Sequence, residues 1–166
     1  FNNIVFDEAK IDGLMEKKTK IQVKVLSRIH LFEGAVELLD SLRPKLKMAL
    51  ATMSNRNIID KILSMKGLGG YFDFVITADE VSKPKPDPEV FLECASKLGC
   101  QPEKCVVVED SVFGIVAAKK VNMRCIAIPS GAYSKAELEK EHPDLIVDSL
   151  KETQKILDFI MPYSKH

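Results

Sequence analysis

The chain has 166 residues, with 24 Lys and Arg balanced by 24 Asp and Glu and 46% hydrophobic residues, which is enough apolar material for the core of one globular domain. A formal net charge of zero gives no general attraction to nucleic acid or to an anionic membrane. No apolar run approaches the ~18 to 20 residues that cross a bilayer, and residues 1–7 lack the basic start and long apolar stretch of a secretory signal. A cytoplasmic location is therefore expected, with neither nucleic acid nor membrane as partner. Cys94, Cys100, Cys105 and Cys125 form no Cys-x-x-Cys pair and no zinc spacing, so free thiols in a reducing compartment are expected.

Hydrophobic periodicity predicts the elements in chain order. Residues 3–6 read as a short apolar strand, and residues 11–29 and 35–42 as amphipathic helices. A strand at 48–51 leads to a helix at 55–65, a strand at 74–77 to a helix at 88–98, and a strand at 105–108 to a helix at 113–121. A strand at 125–128 precedes a short, charged, exposed helix at 135–141. The last pair is a strand at 145–147 and a helix at 150–160. Strands without polar alternation suit a parallel sheet covered on both faces, so a three-layer α/β fold is expected. Ligands of such folds bind beyond the carboxyl ends of the strands.

The residues after three strands carry the chemistry. After 48–51 comes Thr52-Met53-Ser54-Asn55-Arg56, a hydroxyl and amide cluster running into a helix start whose N–H groups can seat a phosphate. Taken alone, the cluster reads more simply as a helix cap provided by Ser54 or Asn55. After 74–77, Lys83-Pro84-Lys85-Pro86-Asp87-Pro88 holds its backbone extended and fixes its lysines, with Asp87 as a cap and Pro88 opening a helix. After 105–108, Glu109-Asp110-Ser111 brings two adjacent carboxylates to the end of a buried strand. Such a pair wants a cation, and hard oxygen donors suit Mg²⁺. Gly114, Ala117 and Ala118 let the next helix sit close to the sheet.

Together these residues make a constellation for phosphate and Mg²⁺, and here the sequence resembles the haloacid dehalogenase-like hydrolase superfamily, in its β-phosphoglucomutase and phosphoglycolate phosphatase-like branch. The likeness rests on Leu50-Ala51-Thr52-Met53-Ser54-Asn55-Arg56, on Lys83-Pro84-Lys85-Pro86-Asp87 and on Glu109-Asp110-Ser111-Val112-Phe113-Gly114-Ile115-Val116-Ala117-Ala118. Glu33-Gly34-Ala35-Val36-Glu37-Leu38-Leu39 resembles the helix start that precedes the first of these motifs. The resemblance covers about residues 13–160. It implies a Rossmann-like core and a Mg²⁺-dependent phosphatase of a small phosphorylated metabolite, working through an aspartyl-phosphate. Phosphoryl transfer of the phosphoglucomutase kind is the alternative, as is an inactive relative that binds phosphate.

The resemblance implies a role for each matching residue. Asp7, at the end of Asn3-Ile4-Val5-Phe6-Asp7, takes the place of the nucleophile, and Thr52 and Lys83 face the transferring phosphoryl oxygens. Mg²⁺ is held between Asp7 and Asp110, with Glu109 as a direct or water-bridged ligand. Ser54, Asn55 and Arg56 fall on the substrate side. The family's opening Asp-x-Asp-Gly is incomplete, because Glu8-Ala9 follows Asp7. Asp7 and Thr52 also lie too close in sequence for the branch's helical cap. One reading is that the sequence joins two pieces of a longer chain, with the catalytic loop and much of the cap falling between Asp7 and about Glu8. The other takes the chain as a capless relative with impaired catalysis. Residues 1–7 and 30–166 are thus expected to form the core domain, and residues 8–29 a remnant of the cap.

The remaining features read as structural. His30, His142 and His166 are far apart, and none follows a strand. Lys17, Lys18 and Lys20 lie on a mostly basic helix face that in this family can also meet a substrate phosphate. A monomer is expected.

Overall fold

The computed structural model describes residues 25, 26 and 28–161. The expected strand at 3–6, Asp7, and the lysines at 17, 18 and 20 lie outside the described residues. The chain divides into two compact units, residues 1–31 and 32–166. In the first, Val25 and Leu26 are helical.

The second unit alternates strand and helix. Its elements are α1 (Ala35–Leu42), β1 (Ala49–Ala51), α2 (Arg56–Met65), β2 (Phe74–Ile76), α3 (Glu89–Leu98), β3 (Val106–Glu109), α4 (Val112–Lys120), β4 (Arg124–Ala127), α5 (Lys135–Glu139), β5 (Leu145–Ile146) and α6 (Thr153–Ile160). All strand pairs among the described residues are parallel. β1 pairs with β2, Ala49 opposite Phe74, while β3 pairs with β4 and β4 with β5. Every expected helix and strand from residue 35 onward is present, within a few residues at its ends.

β4 shows why these strands read as unbroken apolar runs. Cys125 and Ala127 face one core with residues of α3, α4 and α5, while Ile126 and Ile128 face a second core with Leu38 and Leu42 of α1 and Ile156 of α6. Alternate side chains point to opposite faces of a strand, so a strand between two helical layers must be apolar at every position. Ile115, Ile126 and Ile156 are fully buried, and each such side chain contributes about 1.5–3 kcal/mol. The three-layer expectation is therefore met. α5 differs from expectation in one respect. Its capping box, Ser134 with Glu137, starts an otherwise exposed helix, but Leu138 is fully buried and anchors it.

The first core also joins the two sheets, since Ile76 of β2 and Val107 of β3 belong to it. Among the described residues, no helix is long and apolar enough to cross a membrane.

Candidate active site

β3 ends on Glu109, whose side chain is 7% exposed. A buried carboxylate needs donors or a cation. Its Oε2 accepts hydrogen bonds from the Asp110 and Ser111 N–H groups, at 3.2 and 3.3 Å, and from the Ser111 hydroxyl at 2.9 Å. Its Oε1 forms an ion pair with Lys85 Nζ, on the loop after β2. The same Ser111 hydroxyl accepts from Gly114 N at 3.0 Å and so caps α4. Gly114 packs so closely that a Cβ there would overlap the Glu109 carboxyl group. The capping and carboxylate roles of this segment are thus one arrangement.

Asp110 is half-buried beside Gly131, where a Cβ would strike its Oδ2. Among the described residues, no hydrogen bond or ion pair engages the Asp110 carboxylate. One unengaged carboxylate next to a second is a hard-oxygen donor set that fits Mg²⁺. No third metal-ligating side chain joins them among the described residues.

After β1, Thr52 is half-buried and its N–H donates to Ile76 O at 3.0 Å. Its hydroxyl oxygen accepts from Ser54 N at 3.1 Å, and among the described residues the hydroxyl proton has no acceptor. Asn55 and Arg56 have protein partners. Asn55 Nδ2 donates to Asp79 Oδ1 at 2.9 Å, and Arg56 N donates to Asp79 Oδ2 at 2.7 Å. The Arg56 guanidinium donates to Val75 O at 2.7 Å and pairs with Glu80. The cap of α2 is therefore Asp79, a residue from the next loop, rather than the side chain of Ser54 or Asn55.

These contacts hold two carboxyl groups below their ordinary range. Asp79 is lowered by the hydrogen bond from Arg56 N and then by Asn55. At Glu80, burial pushes up, but hydrogen bonds from Thr77 and the Arg56 guanidinium outweigh it. Sequence reasoning missed both acids, although Thr77-Ala78-Asp79-Glu80 carries the Thr-x-x-Glu spacing of a capping box, and the structure forms that box.

The two lysines of the proline-rich loop part company. Lys83 is 71% exposed, with Nζ 4.0 Å from Asp87 Oδ2. Lys85 is 14% exposed and reaches Glu109. Sequence reading singled out Lys83 and passed over Lys85, since the Lys-Pro-Lys-Pro spacing alone does not rank them. Asp87 accepts from Glu89 N at 3.1 Å, but α3 begins one residue later than expected, with Pro88 rather than Asp87 at its N-cap position. The Lys85–Glu109 pair also shows that the carboxyl end of β2 and that of β3 open on the same side of the fold. All four cysteines are free. The Cys125 thiol is pushed up to about 12 by burial and then by Glu109, which makes it a poor nucleophile beside this site.

Comparison with known proteins places this arrangement. Hexitol phosphatase B of Escherichia coli is 41% identical over 85 residues, covering 51% of this chain and 38% of that protein. Fructose-1-phosphate phosphatase YqaB of the same organism is 41% identical over 93 residues, covering 56% of this chain and 50% of its own length. The chain thus spans half or less of these two relatives. Among solved structures, a putative β-phosphoglucomutase from Thermotoga maritima superposes with a TM-score of 0.76 at 26% identity, over 95% of this chain and 73% of that one. The sequence profile of the haloacid dehalogenase-like hydrolases matches residues 1–128. With that match across most of its length, and with a parallel α/β core carrying the carboxylate pair at a strand end, the chain belongs to the haloacid dehalogenase-like hydrolases.

Proposed function

We propose that the chain is the phosphate-handling core of a Mg²⁺-dependent phosphohydrolase acting on a small phosphorylated sugar or polyol. The observation that carries this reading is the strand end of β3, where the Asp110 carboxylate, unengaged among the described residues, stands next to a Glu109 already balanced by Lys85. The named activities of the two Escherichia coli relatives support the substrate class.

In this reading the Asp7 carboxylate attacks phosphorus, the P–O bond to the sugar breaks, and the leaving oxygen takes up a proton from water. Water then attacks the aspartyl-phosphate and releases inorganic phosphate. Phosphoryl transfer depends on positioning and charge neutralisation. The Thr52 hydroxyl donates to a phosphoryl oxygen, its own oxygen held by Ser54 N, and Lys83 turns its ammonium to the same group. Ser54, with Asn55 and Arg56 fixing the loop behind it, lies toward the substrate. Asp7, Asp110 and Glu109 would hold Mg²⁺, which would supply neutralisation of the phosphoryl charge. Residues 8–29 belong to the cap in this reading, and residues 1–7 and 30–166 to the core.

The test is release of phosphate from para-nitrophenyl phosphate and from hexose and hexitol phosphates, with and without Mg²⁺. Asp110→Asn is expected to lower Mg²⁺-dependent turnover more than about 100-fold. Undiminished turnover would remove Asp110 from the site. Failure of the wild-type protein to hydrolyse any of these esters would favour the inactive, phosphate-binding reading. Likeness to the Thermotoga maritima β-phosphoglucomutase supports a second chemistry, in which phosphate supplied on a sugar bisphosphate stays on sugar.

A further inference from the structure

We infer that Lys85 and a divalent cation compete for Glu109, so that Lys85 is a positioning residue that sets how tightly the site takes up its cation. This rests on the reading of Glu109 and Asp110 as cation ligands. Oε2 of Glu109 is committed to three donors, the N–H groups of Asp110 and Ser111 and the Ser111 hydroxyl. Gly114 lies against the carboxyl group, which fills the space a side chain would take there. Oε1 is therefore the oxygen that Glu109 can offer, and the Lys85 ammonium holds it.

An ammonium and a divalent cation repel each other strongly at one oxygen in a partly desolvated site. Uptake of the cation by Glu109 must then displace Lys85. Lys85 Nζ also lies 5.4 Å from the centroid of the Phe91 ring, within cation–π range, so part of what holds the ammonium here does not depend on Glu109. Lys83 does not take over the pairing, being 71% exposed beside Asp87. Without the cation, Lys85 thus keeps the adjacent Glu109 and Asp110 charges balanced, and with the cation it is set free.

Two measurements on the full-length protein test this. In the first, lysines of the wild type are acetylated with a water-soluble ester and read by peptide mass spectrometry. Lys85 is expected to be protected in chelator and to react several-fold faster in saturating Mg²⁺, while Lys83 reacts equally in both. In the second, Mg²⁺ is titrated by calorimetry. Lys85→Met is expected to tighten binding by about tenfold, a common size for coupled binding events, but to lose this effect in a Glu109→Gln background. Equal Lys85 labelling with and without Mg²⁺ overturns the inference, as does the same shift from Lys85→Met in both backgrounds. A wild type that takes up no Mg²⁺ at millimolar concentration overturns the cation reading of the site itself. Should Lys85→Met fail to fold, labelling of the wild type decides alone.

Discussion

The loops after β1 and β3 each end a strand and open a helix, yet they are held by different means. After β3, Glu109 is seated by the next two backbone N–H groups, and Ser111 caps its own helix through Gly114. After β1, the start of α2 is held by Asp79 and Glu80, 23 and 24 residues downstream of Arg56. A seat made of sequence neighbours forms as soon as the strand ends. A joint made of distant partners forms only when the loop after β2 has docked. Glu109 thus sits on a post built first of its own sequence neighbours, to which Lys85 is added from the loop after β2, while Thr52 and Ser54 sit on a joint, here called the hinge, between two loops.

The largest effect is expected where the post itself is removed. Glu109→Ala leaves the Lys85 ammonium largely buried and three donors without their acceptor. Taking one partner from a buried ion pair costs about 3–5 kcal/mol, to be read from urea denaturation. A loss below about 1 kcal/mol would show that the loop after β3 does not depend on its carboxylate, and the contrast between the two loops would fall.

What the sequence made legible follows the same division. Gly114 and Ala117 as close-packing residues and Glu109 as a carboxylate at the end of a buried strand rest on local spacing and are found as expected, while the cap formed by Ser111, set aside in favour of the carboxylate reading, is found beside it. The strands rest on local spacing too, because a strand packed on both faces carries its signature in consecutive residues, as 125–128 does. The capping of α2 by Asp79 was not legible, since the acceptor lies a whole helix and strand away. Neither was the different fate of Lys83 and Lys85. Two lysines in one extended run are equivalent until a distant carboxylate chooses between them, and that choice is a property of the folded state.

A smaller effect is expected at the hinge. Arg56→Met keeps the aliphatic stem but gives up the hydrogen bond to Val75 O and the pairing with Glu80. The guanidinium is 34% exposed, so solvent screening reduces the loss to about 1 kcal/mol. The sharper expectation concerns activity. Since Thr52 N is bonded to Ile76 O and Ala78 N to Ser54 O, loosening this joint moves the phosphate side of the site and leaves the carboxylates in place. Turnover is then expected to fall with the calorimetric affinity for Mg²⁺ unchanged. A parallel loss of Mg²⁺ binding would mean that the two loops act as one unit.

The smallest effect, and the one that isolates the hinge most cleanly, is a dependence on acid. Asp79 is held below its ordinary range by contacts from Arg56 and Asn55 that exist only when the two loops are docked, while Glu80, against the upward push of burial, is lowered by Thr77 of its own loop and then by Arg56. A carboxyl group lowered on folding binds its proton less readily in the folded than in the unfolded chain. Its contribution to stability is present above the unfolded value, near about 4, and is lost as pH falls through the lowered folded value. Asp79→Asn keeps the side-chain shape, removes the charge and weakens the acceptor that Arg56 N uses. The wild type is therefore expected to melt above this variant at pH 6, with the gap closing on the way to pH 2. Melting curves that stay equally far apart over this range would show that the Asp79 charge does not hold the hinge, and that shape alone joins the two loops.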